Sequence, residues 1–390
     1  MGTKEIKASI VKEIEARRSQ FNEISLKIHS NPELGFKEEK AAALLTGYLE
    51  ENGFSVERGI CQLPTAFRAS YGTGKPKIAV LAEYDALPDL GHACGHNIIA
   101  TSAIAAAIAS RIAVDQFGGT ILVLGTPAEE LYGGKALMAE EGAFDNLDIA
   151  MIIHPGGMDT ATTYSLACQS LEVEFFGKPA HAAASPETGI NALEAMIQSF
   201  TAINSLRQHI RETARVHGII TDGGEAANVV PAHSAGSFLV RARENDYLEE
   251  LKEKVLNCFI GAATATGARL EYEWDKVRYA PMLNNIELAR LFTANMQTLG
   301  RHIILSGSDR AFGSTDMGNV SQIVPSIHAN VAIAGGDAQL HTVSFAEAAA
   351  SENGLKGIID ASGALAMTVA DILADPGILT GIKDEFEQAK

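Results

Sequence analysis

Positive charge is scarce in this chain: 31 Lys and Arg stand against 48 Asp and Glu, a formal net charge of −17 over 390 residues. No stretch gathers the cations needed to offset phosphate repulsion, which argues against nucleic acid or an anionic membrane surface as partner. Cysteine is scarce too. Cys61, Cys94, Cys168 and Cys258 are scattered through a large chain rather than crowded into a small scaffold, so reduced thiols and a cytoplasmic setting are expected. The longest apolar run, Ile98 to Ile112, contains Thr, Ser and Arg111 and is shorter than a bilayer span, so it reads as a buried helix. The N-terminal MGTKEIKASIVKEIEARR is charged throughout and lacks the apolar centre of a signal peptide. The pair Gly223-Gly224 belongs to no G-x-G-x-x-G fingerprint, so no dinucleotide site follows.

What is present is apolar residue in quantity, 46% of the chain, and a length that suggests two domains. Ile6, Ile10, Ile14, then Phe21, Ile24 and Ile28, recur at helical spacing up to Asn31-Pro32, and a further helix is expected over 38–52, ending at Gly53. Three short apolar runs follow, at 77–82, 120–124 and 149–153, separated by helical segments. That alternation predicts an α/β fold with buried, mostly parallel strands. From about Ser170 to Tyr279 the rhythm becomes strand, helix, strand, strand, helix, strand, a ferredoxin-like βαββαβ unit that reads as an insertion. The predicted division is 1–168 and 283–390 for one domain and 169–282 for the inserted one. An Ala-rich helical segment over 345–374 closes the first domain before Pro376.

Ionisable residues collect where the apolar runs stop: Glu83 and Asp85, then Glu129 and Glu130, then His154. Ligand sites in open α/β sheets gather at the carboxyl ends of strands. Cys94 and His96, two apart with Gly95 between them, open a small-residue helix with their donor atoms on one side. His341 lies far downstream. A lone Cys-Gly-His triplet, a Glu pair or a single His also serves as core or surface. Yet five nitrogen, sulfur and carboxylate donors from four separate places suit a site for two metals. Two metals sharing a water lower its pKa and clamp the atoms of a hydrolysed bond, while adjacent Glu129 and Glu130 can divide proton transfer from ligation.

The motifs Leu81-Ala-Glu-Tyr-Asp-Ala-Leu-Pro88, Gly91-His-Ala-Cys-Gly-His-Asn97, Thr126-Pro-Ala-Glu-Glu130, Gly177-Lys-Pro-Ala-His181, Asn228-Val-Val-Pro231 and Gly313-Ser-Thr-Asp-Met-Gly318 resemble the M-twenty metallopeptidase family of aminoacylase and carboxypeptidase type. Within it they are most similar to the amidohydrolase branch, which includes p-aminobenzoyl-glutamate hydrolase, indole-acetyl-amino-acid hydrolase and β-alanyl-lysine type dipeptidases. The resemblance implies a di-metal catalytic domain with Cys94, His96, Glu130, His154 and His341 as ligands of two divalent ions, zinc or manganese before cobalt or nickel. It implies Glu129 as the general base that later protonates the leaving amine. The inserted unit becomes a lid and dimerisation domain, and a homodimer is expected. In it His181 reaches a neighbouring subunit's site and polarises the scissile carbonyl there, and Asn228 and Arg241 lie around the substrate's carboxylate. Asp85 orients a ligand imidazole. Two positions depart from many members of the branch, Asn97 and Glu83, each where Asp is common, and both are expected to alter charge near the metals.

The function so implied is metal-dependent hydrolysis of the amide in N-acyl- or aminoacyl-amino acids that carry a free carboxylate. A strict dipeptidase or aminopeptidase, and a non-catalytic subunit of the same fold, are the other readings.

Overall fold

The computed structural model describes residues 2–305, 313–335 and 339–390. Its strands are β1 (Ser55–Arg58), β2 (Phe67–Thr73), β3 (Lys77–Ala82), β4 (Gly119–Gly125), β5 (Ile149–Gly156), β6 (Ala167–Phe176), β7 (Arg215–Asp222), β8 (His233–Ala242), β9 (Arg269–Tyr279) and β10 (Ser326–Ala332). Two compact units result. The larger runs to Tyr164 and resumes at Met282, and the smaller is Ser165–Pro281 with Gly313 and Ser314.

The larger unit is built on a six-stranded sheet of order β1-β2-β4-β3-β5-β10. β4, β3, β5 and β10 are parallel, while β2 runs against both its neighbours. The sheet is therefore mixed, with β2 reversed. β3, β4 and β5 are buried along almost their whole length, which is why they read as unbroken apolar runs. β1 and β2 have no such run. Their sequences SVER and FRASYGT are largely exposed or half-buried at the sheet's margin, so nothing in their pattern announced strands. β5 also extends past His154, because β10 pairs with it as far as Gly156, so this histidine lies within a strand rather than beyond one.

Two helices, His96–Phe117 and Glu352–Ala374, pack against each other in the core. The first is longer than its apolar run suggested. Both are long and apolar enough to cross a membrane, and 89% of each apolar window is buried inside the protein. The helical segment expected over 345–374 is two helices, Val343–Ala349 and Glu352–Ala374. Ser351 separates them, its hydroxyl accepting the Gly354 N–H and capping the second. A further helix, Pro376–Ala389, follows the Asp375 cap.

The smaller unit has the order β7-β8-β6-β9, wholly antiparallel, with helices Ala192–Leu206 and Asn245–Thr266 over one face. β8 alternates between buried and half-buried residues, as a sheet covered on one side requires. The unit begins at Ser165 rather than 169, since β6 already pairs at Ala167 with Ala242, and Met282 goes with the larger unit. The Leu166 N–H also donates to the Gly313 carbonyl at 2.8 Å, which brings a downstream segment into this unit.

Candidate metal centre

Because β3, β4 and β5 are parallel, the segments leaving their carboxyl ends emerge along one edge of the sheet. β3 delivers Glu83 and Asp85, and the chain then loops to Gly95. That residue caps the helix His96–Phe117 at φ 78°, and a Cβ on it would stand 2.4 Å from Pro155 Cγ. Glycine is required on both counts. The result brings Cys94 Sγ to 3.3 Å from His154 Nε2. After β4, Ala128 takes the left-handed conformation at φ 60° and starts the short helix Glu129–Tyr132.

The imidazoles are set by what their second nitrogens do. His96 Nδ1 lies 2.9 Å from both the Asp85 carbonyl and carboxylate oxygens, and His154 Nδ1 is 2.7 Å from the Pro155 carbonyl. Both must donate there, so in its neutral form each imidazole presents the lone pair of Nε2. Asp85 also accepts the Glu130 N–H at 3.0 Å, so one carboxylate fixes two donors. His341 Nε2 is 3.4 Å from Glu130 Oε2.

Three overlapping groups have ligand atoms within 4.8 Å of one another: Cys94, His96 and His154; Cys94, Glu130 and His341; His96, Glu129 and Glu130. His96 Nε2 and Glu130 Oε1 are buried without a hydrogen-bond partner among the described residues. Unpaired buried polar atoms are costly, and their convergence with a thiol and a second imidazole fits a divalent cation with nitrogen and sulfur preference. Burial pushes the Cys94 thiol well above its usual range, and the neighbouring His96 imidazole offsets this only in part. A cation is what would make it a thiolate.

Beneath this cluster lies a second, buried one. The Lys135 ammonium is 2.6 Å from Glu83 Oε1 and 2.7 Å from Asp316 Oδ1, and all three side chains are fully buried. Burial opposes the Lys135 charge, but Asp316 and Glu83 more than restore it. Burial likewise opposes ionisation of Glu83, which Lys135 and His96 nevertheless hold well below the usual carboxylate range. Among the described residues Glu129 forms no such ion pair: burial, then Glu83, Asp316 and Glu130, push its carboxyl well above the ordinary value and outweigh the pull of Lys135.

Asp85, Cys94, His96, Glu129, Glu130, His154 and His341 thus belong to one locality of the larger unit. His181, Asn228 and Arg241 belong to the smaller. There His181 forms a bridge with Val229, and the Ala182 N–H donates to the Asn228 carbonyl at 3.0 Å. The Ala183 and Ala184 N–H groups both donate to His181 Nδ1 at 3.2 Å, leaving the ring proton on Nε2 of an exposed imidazole. Arg241 Nη1 donates to Ser314 Oγ at 3.0 Å, and Arg243 is exposed.

The Asn97 amide donates to Ser25 Oγ at 2.9 Å and the Ala349 carbonyl at 3.1 Å, so it joins the helices. Sequence reasoning assigned no role to Lys135, Asp316, Glu38 or His328. Asp316 stood within a family motif, and the other three had no local signal. His328 is buried edge-on to the His154 ring, centroids 5.6 Å apart, and burial, then His154, lower its pKa to about 3.

A family model described as Peptidase family M20/M25/M40 matches residues 79–358. The chain is 37% identical to the Xaa-Arg dipeptidase of Mus musculus, over 98% of this chain and 92% of that protein. It is 40% identical to one of the subunits of p-aminobenzoyl-glutamate hydrolase from Escherichia coli (strain K12), over 67% and 59%. Its fold is that of a dinuclear metal-binding peptidase of the M20 family from Bacillus subtilis (TM-score 0.71, 20% identity, 92% and 99% covered). It is shared too by an aminobenzoyl-glutamate utilization protein from Klebsiella pneumoniae (TM-score 0.72, 18% identity, 92% and 97% covered).

Proposed function

Since the chain belongs to Peptidase family M20/M25/M40 and is a metal-dependent amide hydrolase, we propose that Glu129 carries the proton from the attacking water to the leaving amine. In the same reading Cys94, His96, Glu130, His154 and His341 hold two divalent ions, zinc or manganese. When bound, these ions polarise the scissile carbonyl and ease ionisation of the attacking water.

The chain's own groups do the rest. Glu129's carboxylate takes a proton as the water oxygen attacks the carbonyl carbon, and returns it to the nitrogen as the C–N bond breaks. The observation that carries this is the position of Glu129: it lies within 4.8 Å of His96 and Glu130 donor atoms, yet no lysine or arginine among the described residues forms an ion pair with it. A carboxylate whose proton affinity is raised by burial and by neighbouring acids suits both taking and giving a proton.

His181 supplies a hydrogen bond to the carbonyl oxygen in a neighbouring subunit's site, a role supported by its Nε2–H, and Asn228 and Arg241 receive the substrate's carboxylate. Homodimer formation through the smaller unit is part of the proposal. In its favour, edge strand β7 exposes Ile219 and Ile220. So is a cytoplasmic, reducing setting, which suits the free Cys61, Cys94, Cys168 and Cys258.

The substrate is an N-acyl or aminoacyl amino acid with a free carboxylate. Dipeptides ending in arginine come first in the panel, because similarity to the Xaa-Arg dipeptidase runs over 98% of the chain. Metal-loaded enzyme should cleave both glycyl-arginine and N-acetyl-arginine. Cleavage of the free-amine compound alone would mark a strict dipeptidase. Glu129→Gln should retain metal and lose at least about 100-fold in kcat. Full turnover by that variant would remove the assignment.

A further inference from the structure

Glu38 occupies the N-cap position of the helix Glu39–Glu51, yet its side chain caps nothing there. Capping falls instead to Glu33, whose carboxylate accepts the N–H groups of Lys40 at 3.0 Å and Ala41 at 3.0 Å. Glu38 turns the other way and is fully buried. Its Oε1 accepts the Ala128 N–H at 2.8 Å, and its Oε2 accepts the Thr65 hydroxyl at 2.8 Å.

Ala128 is the left-handed residue that launches the Glu129–Tyr132 turn, a conformation that strains any side chain with a Cβ. It persists only where surroundings hold it. The same N-terminal segment grips the turn in two more places. Gly35 lies so close that a Cβ on it would stand 2.8 Å from Ala128 Cβ and 3.1 Å from Tyr132 Cδ2. Phe36 stacks on the Tyr132 ring, centroids 5.1 Å apart. Through Thr65 the grip reaches the other side of the site, since the Tyr84 hydroxyl donates to the Thr65 carbonyl at 2.7 Å and Tyr84 precedes Asp85.

We propose that Glu38 is a positioning residue for the hydrolysis, holding the strained backbone of Ala128 and so the direction in which Glu129 leaves the turn. Its hydrogen bonds go to Ala128 and Thr65 and to no donor of the metal centre, and its effect on Glu129 runs through the Ala128 backbone. The inference rests on Glu129 being the proton carrier, and the two fail differently: an active Glu129→Gln removes the carrier, whereas an unaltered Glu38→Leu removes only the positioning.

The test compares Glu38→Leu, which keeps the bulk and loses both acceptors, with Glu38→Gln. The glutamine oxygen can still accept the Ala128 N–H, and its amide can donate to a rotated Thr65 hydroxyl. In Glu38→Leu, kcat should fall about 10- to 100-fold, with KM within about 3-fold of wild type and metal content per folded chain unchanged. Glu38→Gln should recover kcat to within about 3-fold. Should Glu38→Leu not fold, Thr65→Val, which releases one oxygen, and Gly35→Ala, which presses on Ala128, should each lower kcat with metal content kept. Normal kcat in Glu38→Leu, a loss that follows metal content, or a Gln variant as slow as Leu would each overturn the inference.

Discussion

Glu38 also makes a prediction that needs no substrate. Burial, against its hydrogen bonds, raises its pKa from 4.5 to about 7. Below 4.5 the folded and unfolded chains both hold the proton. Between 4.5 and 7 only the folded chain holds it, so the stability this group confers is lost as pH rises through that window. Wild type should lose up to about 3 kcal/mol relative to Glu38→Gln between pH 4.5 and 8. Urea unfolding of the two proteins side by side measures this, and parallel curves would contradict it. At this scale the sequence spoke unevenly. Cys94, His96, Glu129, Glu130 and His154 could be singled out because each stands near the end of an apolar run or opens a helix. Glu38 could not, because a glutamate before a helix reads as a cap, and only distance shows that its partner is Ala128.

Among the elements, Lys135 ties three together: the end of β3 through Glu83, its own helix Gly134–Glu140, and the helix Met317–Ser321 through Asp316. Asp316 also accepts the Lys135 backbone N–H at 2.8 Å. Removing the ammonium leaves two buried carboxylates facing each other. Lys135→Met should therefore destabilise the fold by about 3–5 kcal/mol, read by thermal or denaturant melting. A loss below about 1 kcal/mol would show that the carboxylates find other partners or take up protons. Such an element is illegible in sequence, where GGKALMAEEG looks like a helix with a solvated lysine. β3, β4 and β5 were legible because burial on both faces demands apolar residues throughout. β1 and β2 were not, because a margin of the sheet makes no such demand.

For the whole molecule, the change of rhythm near Ser170 announced a second unit in the sequence alone. Its boundary was less readable, since β6 begins among residues with no turn signal. What sequence order could not convey is convergence: donors from residue 94 to residue 341 meet because parallel strands bring their ends to one edge. That convergence makes metal binding the central claim. Its most direct test is elemental analysis of the protein after incubation with zinc or manganese and desalting, with Cys94→Ala alongside. Cys94 belongs to two of the three donor groups, so about two ions per chain are predicted for wild type and clearly fewer for the variant. A wild type that keeps no metal under either condition, or a variant that keeps as much as wild type, would contradict the account.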